Sequence, residues 1–340
     1  MTTPSRPDAD NLERAVWRVL GGGSLPDTAH QLGVAPRDLA AAAERYRDAG
    51  RTSLDTAAEG WHQVNIHFAD YLTAERTFSA YLAPVLGSEA VGSWWFVRKH
   101  PHWRLRAYPA PGATTEELAA HLAAALQSAV SWGVVTHWTT VLYEPETIAF
   151  GGPEGLALTH HHFHGDSLGV LDYLRQQRDG TANLPDAKTT SLLAITVMLR
   201  AASLELGEQG DVWGQVEHHR PLDPGFSQDQ ITAMTGPMRR LLLTDTRPLL
   251  CPGGILDALQ PWFTTLTESG RALADAAARG RLTCGLRTVA ARWVLFHWNR
   301  MGFDVGQQAI WAHVARHAAL EPPAGFTHRG THGLSEEATP

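Results

Sequence analysis

Arg104 and Arg106 are separated by a single residue in the run Trp103-Arg104-Leu105-Arg106. On a strand that spacing places both side chains on one face. Two adjacent guanidinium groups can grip a carboxylate through paired hydrogen bonds. Without further context the same pair fits a cap over acidic surface groups. His297 and Arg300 lie three apart and share a side if their segment is helical. Histidine suits proton transfer near neutral pH; a buried histidine held by Arg300 or a carbonyl is the structural alternative. The run His160-His161-His162-Phe163-His164-Gly165-Asp166 alternates His160, His162, His164 and Asp166 onto one face if it is extended. A metal site needs three or four such ligands to converge. A loop that caps a helix, with Asp166 or Ser167 at the N-cap, explains the run better. Glu144 and Glu146 flank Pro145 ahead of Phe150-Gly151-Gly152. Proline sets a turn and the glycines allow unusual backbone angles, so a role holding Arg104 or Arg106 fits these carboxylates better than direct catalysis. Glu208 and Asp211 invite the same reading.

The elements that must position these residues follow from periodicity. Trp61 to Phe68 alternates polar and apolar residues, as a half-buried strand does. Ser93–Lys99 and Trp103–Tyr108 read as two strands joined at His100-Pro101-His102, and Trp138–Tyr143 as another. Helices are predicted over 70–86, 115–133, 188–206, 226–245, 255–279, 283–301 and 306–318. The block 153–178 begins as a loop and turns helical near Ser167. Residues 11–51 form a small three-helix unit of helix-turn-helix type, with Leu12, Val16, Trp17 and Leu20 on one face and a sharp turn at Gly33. Residues 1–10 are expected to be disordered and 322–340 to be a flexible tail. Strands and helices mix without regular alternation, which predicts an α+β fold with a mixed sheet and packed helices.

Composition excludes several classes. The 340 residues are 44% hydrophobic, enough for one large core. No run of about 18 or more uncharged apolar residues exists, so no membrane span is predicted. The polar N-terminus lacks a signal-peptide pattern, and a cytoplasmic protein is expected. Net charge is −7, and the acidic and basic residues of the third helix nearly cancel, so nucleic acid is not an expected partner. Cys251 and Cys284 make no disulfide framework and no CxxC pair. No GxGxxG follows a strand and no Walker A sequence occurs, so no cofactor is expected.

The segment Trp94 to Arg106, an aromatic strand ending in arginine followed by Pro101-His102-Trp103-Arg104-Leu105-Arg106, resembles a pattern of the lantibiotic-dehydratase elimination domain and the thiopeptide-type bacteriocin biosynthesis proteins. Further similar segments follow in order: Tyr143-Glu144-Pro145-Glu146, Phe150-Gly151-Gly152, Phe163-His164-Gly165-Asp166-Ser167 and Glu208-Gln209-Gly210-Asp211-Val212-Trp213. Last comes Phe296-His297-Trp298-Asn299-Arg300, similar to that domain's H-x-x-N-R run, although one residue separates His297 from Asn299 here. The resemblance spans residues 60–318. It implies an enzyme acting on a leader-bearing precursor peptide, without a metal or cofactor. It implies catalytic roles for Arg104, Arg106, His297 and Arg300, and substrate contacts from Arg98, His102, Glu144, His164, Asp166 and Trp298.

Two reactions are consistent with the resemblance. One removes glutamate from glutamylated Ser or Thr to leave dehydroalanine or dehydrobutyrine, beside a separate glutamyl-transferring dehydratase subunit. It needs a base for the Cα proton and a grip on the departing carboxylate. The other is pyridine synthesis, a formal aza-[4+2] cycloaddition of two dehydroalanines followed by loss of water and leader peptide. Retention of Arg104, Arg106, His297 and Arg300, positions that the resemblance assigns to a glutamyl group, leans toward elimination. A non-catalytic peptide-binding or regulatory protein is the reading from a different class.

Overall fold

The structure, a computed structural model, describes the backbone of residues 9–54 and 60–320 and the side chains of residues 11–47 and 60–320. Most of the segment 1–10 and all of the tail 322–340 lie outside the described residues. Three helices come first: α1 (Ala9–Leu20), α2 (Leu25–Leu32) and α3 (Pro36–Leu54). They enclose their own small core of Val16, Ala29, Leu39 and Ala43, with Leu12 and Leu20 packed against it. Trp17, expected on that face, is exposed instead. Ser24 caps α2, accepting from the Asp27 N–H, and Gly33 ends it in the left-handed conformation at φ 70°.

Four strands then build one antiparallel sheet: β1 (His62–Phe68), β2 (Val91–Lys99), β3 (His102–Pro109) and β4 (Val135–Val141), in the order β2-β3-β1-β4. Pairing Trp95 with Arg106 and Arg106 with Gln63 fixes the register. A one-residue slip would move every side chain to the opposite face. Val64, Ile66, Trp94, Phe96, Trp103 and Leu105 therefore form one face, all buried. The helix α5 (Thr115–Ser131) covers it with Leu118, Leu122 and Leu126. Thr114 and Glu117 close a capping box at its start.

The helix expected over 70–86 is broken. A short α4 (Ala74–Thr77) runs into a π-turn at Phe78–Leu82 and a 3₁₀ turn at Val85–Gly87. Pro84 lacks the N–H that would continue a regular helix. The wide turn sets Phe78 against Trp94, Phe96 and Trp103.

The remaining helices pack as a bundle along the β2 side of the sheet. They are α6 (Gly152–Asp179), α7 (Ala187–Ala201), α8 (Leu206–His219), α9 (Gln228–Leu243), α10 (Arg247–Leu250), α11 (Gln260–Ala278), α12 (Leu286–Met301) and α13 (Val305–Leu320). Two expectations fail here. The block 153–178 is helical from Gly152 onward, so Asp166 and Ser167 lie mid-helix and cap nothing. Gly165 and Gly169 are packing glycines inside this helix. A Cβ at Gly165 would meet Thr265 at 2.2 Å and one at Gly169 would meet Trp262 at 2.0 Å, both on α11. The predicted 188–206 helix ends at Ala201, turns at Ser203 with φ 61°, and α8 follows where no element was expected.

Candidate active site

The second face of the sheet carries the polar residues of the same strands. Arg104 and Arg106 share this face with Trp95, Gln63 and Asn65, as register requires. The expected one-sided placement of the two arginines is what the fold delivers. Arg106 is 8% exposed. Its Nε donates to Gln63 Oε1 at 2.6 Å, and its guanidinium lies over the Trp95 ring at 4.1 Å and the Tyr143 ring at 5.2 Å. Burial lowers its pKa to about 10, yet it stays charged at neutral pH. No ion pair to a carboxylate involves Arg104 or Arg106 among the described residues.

Five buried polar atoms on this face have no hydrogen-bond partner among the described residues: Trp95 Nε1, Asn65 Oδ1, His102 Nε2, Arg104 Nε and Arg106 Nη1. Leaving a buried donor unanswered costs about 1–3 kcal/mol, more for a charged group. A native fold tolerates such a row where a polar ligand completes it. Tyr143 and His160 border the row. The Tyr143 hydroxyl and His160 Nε2 share a hydrogen bond of 2.8 Å. Burial pushes His160 down to about 4, with Arg106 adding to the effect, and raises Tyr143 well above the usual phenol range. The imidazole is therefore neutral and the phenol keeps its proton.

Aromatic rings wall the junction between sheet and bundle. Trp95 packs on Phe163 at 4.8 Å and Phe296 at 6.0 Å, and Phe163 stacks on Phe296 at 4.7 Å. The β2 edge is closed by α6. His164 Nδ1 sits 2.9 Å from the Trp94 carbonyl oxygen and 3.1 Å from its N–H. Ser167 Oγ accepts from the Phe96 N–H at 3.4 Å. An edge strand needs such cover, so His164 seals the sheet instead of facing the arginines.

His297 and Arg300 do share a side of α12, but that side looks into the bundle. His297 Nδ1 donates to Asp166 at 3.0 Å, Arg300 Nε donates to it at 2.7 Å, and Trp262 Nε1 donates to it at 3.0 Å. Ser191 Oγ donates to His297 Nε2 at 2.8 Å, the tautomer following from the carboxylate on the other side of the ring. Burial pushes the Asp166 carboxyl up, but His297 and Arg300 outweigh it and hold it well below the usual carboxylate range. Arg300 and Asp166 are fully buried. The cavity beside them, lined in part by His162, Met198 and Trp293, is about 10 Å³, room for one water at most. With Ser191 and Trp262 these residues form a buried knot tying α6, α7, α11 and α12. Arg300 Nη1 and Nη2 have no hydrogen-bond partner among the described residues, the Arg300 guanidinium lies over the Phe163 ring at 4.5 Å, and its charge reaches Arg106.

Several expected contacts move for similar reasons. Trp298 is buried between Trp213 and Trp311, in the core. Arg98 lies on the opposite sheet face from Arg104, over the Trp103 ring at 4.7 Å, because it stands one residue out of phase with Val97. Burial lowers its pKa to about 10. Glu146 ion-pairs with Arg292 of α12 at 3.1 Å, not with either site arginine, and Glu144 is exposed. Arg287 bridges Glu208 and Asp211. Gly151 and Gly152 do adopt positive φ, 86° and 85°, where the chain enters α6. The histidine run, being helical, scatters its side chains. His160 faces Tyr143, His162 stacks on Trp293 at 4.1 Å, and His164 reaches β2. The alternation that suggested a metal site does not exist.

Sequence reasoning missed Gln63, Asn65 and His67 of β1. Their signal was present: they are polar positions of the alternating Trp61–Phe68 run, and pairing with β3 sets Gln63 and Asn65 beside the arginines and His67 beside His102.

The lantibiotic biosynthesis dehydratase C-terminal family matches residues 61–319. Among solved structures, the chain resembles the tRNA-dependent lantibiotic dehydratase MibB from Microbispora sp. 107891, with a TM-score of 0.58 and 17% identity over 77% of this chain and 28% of that one. It resembles TsrL with a TM-score of 0.52 and 16% identity over 76% of this chain and 93% of that one. The pyridine synthase TbtD from thiomuracin biosynthesis aligns at a TM-score of 0.47 and 15% identity, over 77% and 98%. None of the curated proteins matches the sequence.

Proposed function

We propose that this chain, which belongs to the lantibiotic biosynthesis dehydratase C-terminal family, eliminates glutamate from glutamylated Ser or Thr in a leader-bearing precursor peptide. The family's part in making ribosomal peptide antibiotics and the shared fold support the peptide substrate. The chain spans only 28% of MibB, so the rest of that protein's activity is not carried over. A separate glutamyl-transferring protein would supply the substrate.

The observation that carries this reading is Arg106, a buried cation without a carboxylate, beside Arg104 on one sheet face. A carboxylate of the glutamyl group answers both arginines through charge-assisted hydrogen bonds. In the transition state, charge builds on the departing carboxylate, and fixed donors stabilise it most where water is excluded. The half-buried face and its aromatic wall supply that setting.

One observation favours the second reaction, pyridine formation. The residue three before Asn299 is Phe296, not histidine, and it faces Trp95 and Phe163 near Arg106. His297 instead points into the bundle. A flat apolar wall beside Arg106 and the protonated Tyr143 suits stacking of unsaturated residues and polarisation of a carbonyl.

Two synthetic peptides separate the readings by mass. One carries glutamylated serine; the other carries azoles and two dehydroalanines behind a leader. Loss of glutamate from the first is the expected result. Loss of water and leader from the second, with a pyridine chromophore, makes cycloaddition the reaction. Neither change with cognate peptides would return the chain to the non-catalytic, peptide-binding class.

A further inference from the structure

We propose that His67 takes the Cα proton in the elimination, with His102 and His137 holding its ring in place. The assignment rests on the elimination reading and adds the base that reading lacks. His297 is enclosed in the knot, and His160 is bonded to Tyr143.

The three imidazoles form a row across β3, β1 and β4 on the arginine face. The His67 ring is 5.0 Å from His102 and stacks on His137 at 4.0 Å, with planes 16° apart. His67 is registered with His137, and Asn65, two residues back, with Arg104. That makes His67 a diagonal neighbour of Arg104, about 7–8 Å away. A carboxylate oxygen gripped by Arg104 is three bonds from the Cα hydrogen that must leave. The spacing lets one substrate touch both groups. Asn65 Oδ1, buried and unpartnered, lies on the same strand and face between them. His67 is half-buried on the open face, whereas His102 Nε2 is buried.

The charges around the row favour a free base. Burial first, then His137, lower the pKa of His67. Burial, His67, Arg104 and Lys99 lower that of His102 in that order. The groups facing His67 are thus His102 on β3 and His137 on β4, with Arg104 and Lys99 acting on His102. No carboxylate is among those that shift it. In the reaction the Cα–H electron pair becomes the Cα=Cβ bond and the Cβ–O bond breaks. Glutamate leaves as a carboxylate toward Arg104 and Arg106, and the proton stays on His67 until solvent removes it.

The test uses the full chain and the glutamylated peptide, with His67→Asn and His67→Gln as variants. Elimination in single turnover should fall about 10²–10⁴-fold, the usual contribution of a positioned base. Affinity for an amide-linked glutamyl peptide, which cannot eliminate, should be unchanged. Added imidazole should restore part of the rate, and the acidic limb of the pH–rate profile should disappear. Full activity in both variants overturns the assignment alone. Loss of activity together with loss of affinity or melting temperature gives His67 a structural role and also overturns it. A wild-type protein inert on its cognate glutamylated peptide overturns the elimination reading, and this assignment with it.

Discussion

The arginine face and the Asp166 knot use the same residue types to opposite ends. In the knot, a fully buried carboxylate receives hydrogen bonds from His297, Arg300 and Trp262. Its charge is matched by the protein itself, and the unpartnered atoms there, Arg300 Nη1 and Nη2, belong to an arginine that already has a carboxylate. On the sheet face, Arg104 and Arg106 have aromatic rings and an amide for company, and polar atoms without partners. A matched buried ion pair specifies a structure and resists loss of either member. An unmatched cation is a cost the fold carries for a ligand, and such sites trade stability for activity. The knot therefore reads as architecture and the face as chemistry, although both contain arginine beside histidine.

Breaking the knot should produce the largest effect. Asp166→Ala leaves Arg300 buried without its carboxylate and should cost about 3–5 kcal/mol, measured as a shift in the urea midpoint. A variant as stable as the wild type would erase the contrast.

Arg106→Met should do the reverse. Elimination should drop about 10²–10³-fold, as for removal of a transition-state donor. Stability should hold or rise, because an apolar side chain of similar length removes an unpaired buried charge. A large stability loss would make Arg106 structural and sink the distinction.

Gly169→Ala tests how tightly the knot is gauged. A Cβ there strikes Trp262, whose indole N–H serves Asp166. Overpacking of this kind costs about 1–3 kcal/mol, read from thermal unfolding, with the rate per folded molecule retained.

The smallest effect is a pH slope. Burial pushes His162 down to about 3 and His160 down to about 4. Below the ordinary histidine pKa near 6.5 the unfolded chain takes up protons that the folded chain refuses. Their contribution is complete above about 6.5 and is lost as pH falls toward 3 to 4, at up to about 1.4 kcal/mol per pH unit for each group. His162→Leu should flatten the fall in stability between pH 6.5 and 4 by one group's share, by denaturation at stepped pH.

Much of this was legible in the sequence because it depended on local period. The strand residues Arg104 and Arg106 alternate with Trp103 and Leu105, so their shared face followed from spacing alone. His297 and Arg300 sharing a helical side followed equally. What spacing did not reveal was which way α12 turns. That depends on Asp166 reaching His297 across the bundle, a contact 131 residues apart. The 160–166 run was misread because Asp166 and Ser167 suit the N-cap of a helix starting there; the helix tolerates Gly165 and Gly169 because α11 packs close against both. Gln63, Asn65 and His67 lay within a strand already recognised, but their meaning required the β1–β3 register.

The most direct test of the account is calorimetric titration of the wild-type protein with an amide-linked glutamyl peptide and with the same peptide unglutamylated. Glutamylation should tighten binding by about 1.5–3 kcal/mol, the worth of hydrogen bonds to charged groups. Arg106→Met should lose that increment while binding the plain peptide as before. Equal affinity for the two peptides, or an increment that survives Arg106→Met, would contradict the account.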